Sequence, residues 1–370
     1  MASDIEKSMG EAGKSSTDKV YDTNWCDMPS EVKAKCIGKM EFKERLSLRS
    51  TAKAERSLVD SQKIEFKKGI LLGELYDGDF KLSLYSENKD KISFKSMKKR
   101  LELMKYIWKV GVFELLCISI GSLFGEEEAP AMKAEFIGNT SEISAKNIAY
   151  GDCDTDIILY ILRSTKNGVE SIEMIASANP HPFDDILAIP QVQNAKYWHI
   201  KNHDKIDGLH KVAQVWIDNN SEIGSTCQFS ITIEPSNILF DEFLEHFADR
   251  IVSTSTKRIR IRTDNKDRHI LLEYGHLYFN PQFFRFMVIS ADMKESEYDE
   301  DCKVWTRKID PWYLEPKNAS DDVSEPSSPE GFLVTFSEDD WDDDSYDYSN
   351  DDSVIELDDD SDFDSDDEAD

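Results

Sequence analysis

Residues 106–125 read YIWKVGVFELLCISIGSLFG, the most hydrophobic window of the chain and close to the length of a membrane span. Lys109 and Glu114 stand inside it and Gly111 interrupts it. Charges in mid-bilayer are costly, so the window reads as the end of a core helix followed by a buried strand. The residues before it agree. In KSMKKRLELMKYIWKVG (95–111), Met97, Leu101, Met104 and Trp108 recur at helical spacing, and the other face is basic. Further upstream, KGILLGELYDGDFKLSLYSENKDKISF (68–94) alternates as strands do, punctuated by Asp77-Gly78 and Asn88, a hairpin signal.

Downstream the architecture repeats. Strand-like runs begin at Phe113 (FELLCISI), Ile143 (ISAKNIAY), Val169 (VESIEMI), Ala195 (AKYWHIK), Cys227 (CQFSITI) and Lys257 (KRIRIRT), at intervals of 30, 26, 26, 32 and 30 residues. Between most of them lie helical patterns: DTDIILYILRSTK (154–166), PFDDILAIPQ (182–191), DGLHKVAQVWIDN (207–219) and SNILFDEFLEHFADRI (236–251). A strand and a helix every ~20–30 residues predict an α/β, leucine-rich-repeat-like solenoid in which each unit hides its apolar face against the next. The leucine and asparagine consensus of such repeats is missing. A doubly wound sheet would show the same alternation, but no glycine-rich phosphate turn supports it.

The two-residue period sorts the strand faces. Ile172 and Met174, Trp198 and Ile200, Phe229 and Ile231, and Ile259 and Ile261 are expected inside. Opposite them stand Glu173; Tyr197, His199 and Lys201; Gln228, Ser230 and Thr232; and Arg258, Arg260 and Arg262. Aligned across neighbouring strands, these predict a polar, increasingly basic ladder. Tyr197, His199, Lys201, Arg258, Arg260 and Arg262 are therefore the candidate target-binding residues. A charged outer strand face would give the same pattern, and the lack of interleaved aromatics argues against nucleic acid.

The chain opens with a polar leader, residues 1–23, followed by a block of short amphipathic turns. Met28-Pro29 predicts a helix start. Val32, Cys36, Ile37 and Met40 then share one face, Phe42 and Leu46 repeat the pattern, and Ser50-Thr51 predicts the cap of a third segment with Ala52, Leu58 and Val59. Three short helices bury too little to stand alone, and such a unit calls for a partner.

MPSEVKAKCIGKMEFKERLSLRSTAKAERSLVD (28–60) resembles an F-box, and specifically that of the nematode F-box A group. Met28-Pro29 stands at the family's Leu-Pro start, and Val32, Cys36, Ile37 and Met40 in its first apolar helix. Leu46 and Leu48 stand in the middle, and Glu55-Arg56 where the family carries Trp-Arg. In that group an FTH domain follows, and the stretch from Ile64 through NPQFFRFMVISADM (280–293) is similar to it. The resemblance implies an F-box at 24–63, an FTH domain at 64–300 and a tail at 301–370. It also implies a non-catalytic substrate receptor of an SCF-type ubiquitin ligase. Met28, Pro29, Val32, Cys36, Ile37, Met40, Leu46 and Leu48 would dock on a Skp-family adaptor, and through it a cullin, while the FTH domain holds a target protein. Such a receptor works by raising effective concentration and needs no reactive group of its own.

Composition narrows the alternatives. The net charge of -30 is concentrated: residues 321–370 hold 23 Asp and Glu and no Lys or Arg, which leaves 51 acids against 44 bases elsewhere. Six cysteines with no CxxC pair, and no cleavable signal, predict free thiols in a reducing compartment, cytoplasmic or nuclear. His199 and His203 lie in a strand and the loop after it rather than on a helix face, so no metal and no cofactor is expected. No serine elbow, cysteine–histidine signature or P-loop occurs. The acidic tail is expected to be disordered. Within it Val354, Ile355 and Leu357, followed by aspartates, resemble a SUMO-interacting motif, and Ser361 and Ser365 are set as sites for an acidophilic kinase. A different reading of the charge is an acidic-tailed scaffold or chaperone for basic proteins such as histones.

Overall fold

In the computed structural model, glycine divides the apolar window as its charges require: a helix ends at Val110 and a strand begins at Gly111. A β-carbon at Gly111 would lie 2.6 Å from the carbonyl oxygen of Ile107 and 3.0 Å from the Phe113 ring, so only glycine permits so abrupt a change. The structure describes residues 24–309, except 52, 74–79, 87–90, 94–96, 121–133, 135, 139–141, 152, 154, 167, 176–182, 202–208, 232–237 and 277–281. The chain divides into two units between Gln62 and Lys63.

The first unit holds helices α1 (Ser30–Ile37), α2 (Phe42–Thr51) and α3 (Arg56–Asp60). α1 and α2 both pack on α3, and Ile37, Phe42, Leu46 and Val59 are buried. Two local expectations need correction. Pro29 is the extended residue before α1 rather than its first helical residue. Ser50 and Thr51 end α2 instead of capping α3, which Glu55 precedes without a side-chain cap. Ala52 lies outside the described residues.

The second unit runs β1 (Ile64–Gly73), β2 (Phe80–Tyr85), β3 (Lys91–Ser93), α4 (Met97–Val110), β4 (Gly111–Ile120), β5 (Ser144–Gly151), α5 (Thr155–Ser164), β6 (Ser171–Ile175), α6 (Phe183–Leu187), α7 (Pro190–Gln193), β7 (Tyr197–Lys201), α8 (Leu209–Asp218), β8 (Thr226–Ile231), α9 (Ile238–His246), β9 (Ile251–Thr254), β10 (Arg258–Arg262), β11 (Arg268–His276), β12 (Gln282–Ser290) and α10 (Tyr298–Ile309). All described strands form one sheet, ordered β3-β2-β1-β4-β5-β6-β7-β8-β12-β11-β10-β9. From β1 through β4 to β8 each strand lies parallel to the one before it, in chain order and without reversal.

Beyond β8 the repeat fails. The strand near Lys257 is not the next parallel rung: β9 to β12 form an antiparallel meander whose last strand, β12, returns to pair with β8. The cause is connection length. Only residues 255–257 separate β9 from β10 and 263–267 separate β10 from β11, far too few for the crossover that a parallel neighbour needs.

One face of the sheet carries the core. Ile172, Met174, Trp198, Ile200, Phe229, Ile259 and Ile261 are buried as expected, while the side chain of Ile231, like those of Met97 and Leu101, lies outside the described set. Phe183 of α6 meets Phe229 edge-on at 6.1 Å, and Phe243 of α9 meets Phe286 at 5.5 Å. The amphipathic α5 and α8 bury Ile157, Ile158 and Ile161, and Val212, Trp216 and Ile217. α10 packs against β7 and β8, and its Tyr298 and Cys302 join Leu271, Met287 and Ile289 in a second apolar cluster. α10 runs from Tyr298 to Ile309, across the expected tail boundary at 300. The acidic segment with Val354, Ile355, Leu357, Ser361 and Ser365 lies outside the described residues. Among the described residues no helix is long and apolar enough to cross a membrane.

Candidate functional site

The strand registers align a polar row across the sheet. Glu173 lies opposite His199, His199 opposite Gln228, Gln228 opposite Arg285, Arg285 opposite Glu273, and Glu273 opposite Arg258. The row differs from the expected ladder because β12 and β11 stand between β8 and β10, inserting Arg285 and Glu273.

It is also closed. Lys201 Nζ donates to Glu173 Oε1 at 2.6 Å. Arg285 donates to Gln228 Oε1 at 2.7 Å and to Glu273 Oε2 at 3.2 Å, and Arg258 donates to Glu273 Oε1 at 2.8 Å. Arg260 donates to the carbonyls of Met293 (2.6 Å), Ser290 (3.1 Å) and Ala291 (2.6 Å), to Tyr298 Oη (2.8 Å) and to His269 Nδ1 (2.8 Å). Glu173, Tyr197, His199, Gln228, Arg260 and Arg285 are buried. Arginine loses its water only where its donors are satisfied, and here the protein's own groups satisfy them. Tyr197, His199 and Arg260 are thus buried rather than presented on an outer strand face as the alternation predicts. Lys201 and Arg258 are half-buried in ion pairs, and Arg262 alone of the six is exposed.

Burial also sets the titration of this region. Loss of water, then the nearby Lys201 and Arg285, holds the His199 imidazole well below its usual range. Burial pushes the Cys117 thiol up to about 12 and raises Cys227 as well, so neither is a nucleophile near neutral pH. His203 lies outside the described residues, and among the described ones no group of three or more ligating side chains could hold a metal ion.

An open surface lies at the N-terminal ends of β1, β4 and β5. Glu65, Lys67, Val112 and Lys146 are exposed there beside a cavity of about 260 Å³. Lys67 pairs with Glu114 at 3.0 Å, and Lys146 with Glu170 at 3.1 Å. The sequence reading missed this surface. Its signal was present in IEFKKG (64–69) and GVFELL (111–116), where charged or solvent-facing residues alternate before each strand turns uniformly apolar.

In the first unit, ion pairs tie the three helices. Lys33 Nζ lies 2.7 Å from Glu55 Oε1, and Arg49 donates to both oxygens of Asp60 at 2.8 and 3.4 Å. The buried Arg45 donates to the carbonyls of Met40 and Gly38, each at 3.0 Å, and so holds the loop between α1 and α2 closed. Of the residues expected to dock, Ile37 (0% exposed) and Leu46 are in the interior. Pro29 and Val32 (42%) are exposed, and Met28, Cys36, Met40 and Leu48 are half-buried. Val32 and Cys36, one turn apart on α1, present apolar surface that Ile37 does not.

Residues 25–67 match the F-box domain. F-box domains bind Skp-family adaptors within SCF-type ubiquitin ligases, and the proteins that carry them are in general non-catalytic substrate receptors. In this F-box domain Glu55, which stands where the resemblance led one to expect tryptophan, is the partner of Lys33. Among curated proteins and among solved structures, nothing matches the chain.

Proposed function

We propose that the chain is a substrate receptor of an SCF-type ubiquitin ligase in the cytoplasm or nucleus: the F-box domain docks on a Skp-family adaptor, and the second unit, an FTH-type solenoid, holds a target protein. The observation that carries this reading is the F-box match on a unit whose Pro29, Val32, Cys36 and Met40 remain accessible. A chain-ordered run of parallel strands is the arrangement a solenoid of strand–helix units produces. The open charged surface around Lys67, Glu114 and Lys146 is the better candidate for the target than the closed polar row.

Adaptor capture tests this. Val32→Asp together with Met40→Asp places two charges on the accessible patch and should abolish co-purification of a Skp-family adaptor while leaving the thermal transition unchanged. Retention of the adaptor by that variant would overturn the docking surface. The 23 acids of residues 321–370 favour a second reading, a scaffold for basic proteins. Capture of histones that depends on those acids, with no adaptor in the same eluate, would support it instead.

A further inference from the structure

We propose that His210 and His246 form the protein side of a binding site for a divalent transition-metal ion, zinc in the first instance.

The two histidines come from neighbouring helices. His210 stands in the first turn of α8 (Leu209–Asp218), His246 ends α9 (Ile238–His246), and the two helices pack together. Their ring centres lie 4.7 Å apart, with the planes inclined at 36°. Zinc takes imidazole nitrogen at about 2.0–2.1 Å, so two rings on adjacent corners of one ion hold their centres about 4.5–5.5 Å apart. The observed spacing falls in that interval. The ring torsion of histidine is broad, so each imidazole can turn a nitrogen toward a shared point while the helices stay in place.

The surroundings favour a cation. Phe247, itself buried, lies edge-on to His246 at 4.7 Å with the ring planes 77° apart, and so restrains one of the two ligands. The exposed charges of α9 beside it are acids, Asp241, Glu242 and Glu245. Lys211, next to His210, is paired with Asp184 at 2.7 Å. His210 is half-buried and His246 exposed, which leaves the pair open to solvent on one side.

Ligand type selects the metal. Imidazole suits zinc, copper and nickel, whereas magnesium and calcium take oxygen. Among the described residues no third histidine, cysteine or carboxylate completes the set, so water fills the remaining positions. His199 has no part in the site, because it is buried beside Ser230 Oγ at 3.1 Å.

Calorimetric titration of the full-length protein with zinc chloride tests the proposal, with excess magnesium to occupy the acidic residues and a phosphine to keep the cysteines reduced. Wild type should bind a single zinc ion, and His210→Gln and His246→Gln should each weaken it about tenfold or more. His276→Gln should leave it unchanged. X-ray absorption at the zinc edge, read on wild type and so independent of any variant, should show two imidazoles and no sulfur. Equal affinity in wild type and all three variants would overturn the proposal. So would sulfur around the zinc, which assigns the ion to a cysteine, or zinc held no more tightly than magnesium, which assigns it to the acids. Adaptor capture by the F-box domain does not depend on any of these outcomes.

Discussion

Ile37 and Val32 are five residues apart on one helix and do different work. Ile37 is wholly buried and Val32 is exposed. Ile37→Ala should cost about 2–5 kcal/mol of stability, whereas Val32→Asp should change it by no more than about 0.5 kcal/mol and act on adaptor binding alone. Urea titration and adaptor capture on the same two variants check this division. The histidines give a second prediction. His199 is held low by burial, then by Lys201 and Arg285; His269 is lowered by burial and by Arg260 and Arg262, and its Nδ1 accepts from Arg260. Both rings give up their protons more readily in the folded chain than in the unfolded one, which binds protons near pH 6.5. Stability from these groups is therefore complete above about pH 6.5 and falls as the pH drops below it, most for the buried His199. His269, partly exposed to water, contributes less. Urea midpoints followed down to about pH 5 should decline, and His199→Gln should flatten the curve if its neutral amide replaces the ring.

Helices and strands were the most legible level in the sequence. The periodicity of 97–111 locates α4, and six strand-like runs fall on β4, β5, β6, β7, β8 and β10. Gly111 could be read as a break, but not as a contact: the carbonyl that excludes a β-carbon is that of Ile107, four residues back in the last turn of α4, and it comes that close only because the chain leaves the helix directly into β4. Gly111→Ala should therefore cost about 1–3 kcal/mol, an overpacking penalty, and a thermal melt would report it. The faces were legible only on the core side. Polar alternation on β7 and β10 signalled solvent, yet α10 packs on part of the sheet, and the arginines of that face are satisfied by Glu273, Gln228, Tyr298 and backbone carbonyls. Nothing local in RIRIR distinguishes a guanidinium that meets water from one that meets three carbonyls. Tyr298→Ala, which removes an anchor of α10 and a partner of Arg260, should destabilise by about 3–5 kcal/mol and speed amide exchange along β7 and β8.

At the scale of the whole molecule, the division between a helical F-box domain and a larger sheet unit was readable because composition and period both change near residue 63. Strand order was not, since β12 finds β8 across 50 intervening residues and no local pattern records that choice. The distribution of lysine is a whole-chain property too. None follows Lys317, and a receptor held beside a ubiquitin-loaded enzyme would expose its own tail to modification. Lysines grafted at residues 345 and 349 should raise self-ubiquitination in a reconstituted ligase, read as ladders on the receptor, and an unchanged ladder would dispose of the idea.

The return of β12 to β8 also has a temporal side. On the ribosome the parallel rungs can close one after another as they emerge, but the flank of β8 must wait for residue 282. At ordinary translation speeds of about 5–20 residues per second, that wait is roughly 3–10 s. For that interval the nascent chain carries an unfinished border at Thr226–Ile231, and this is where a holding chaperone would be needed during synthesis.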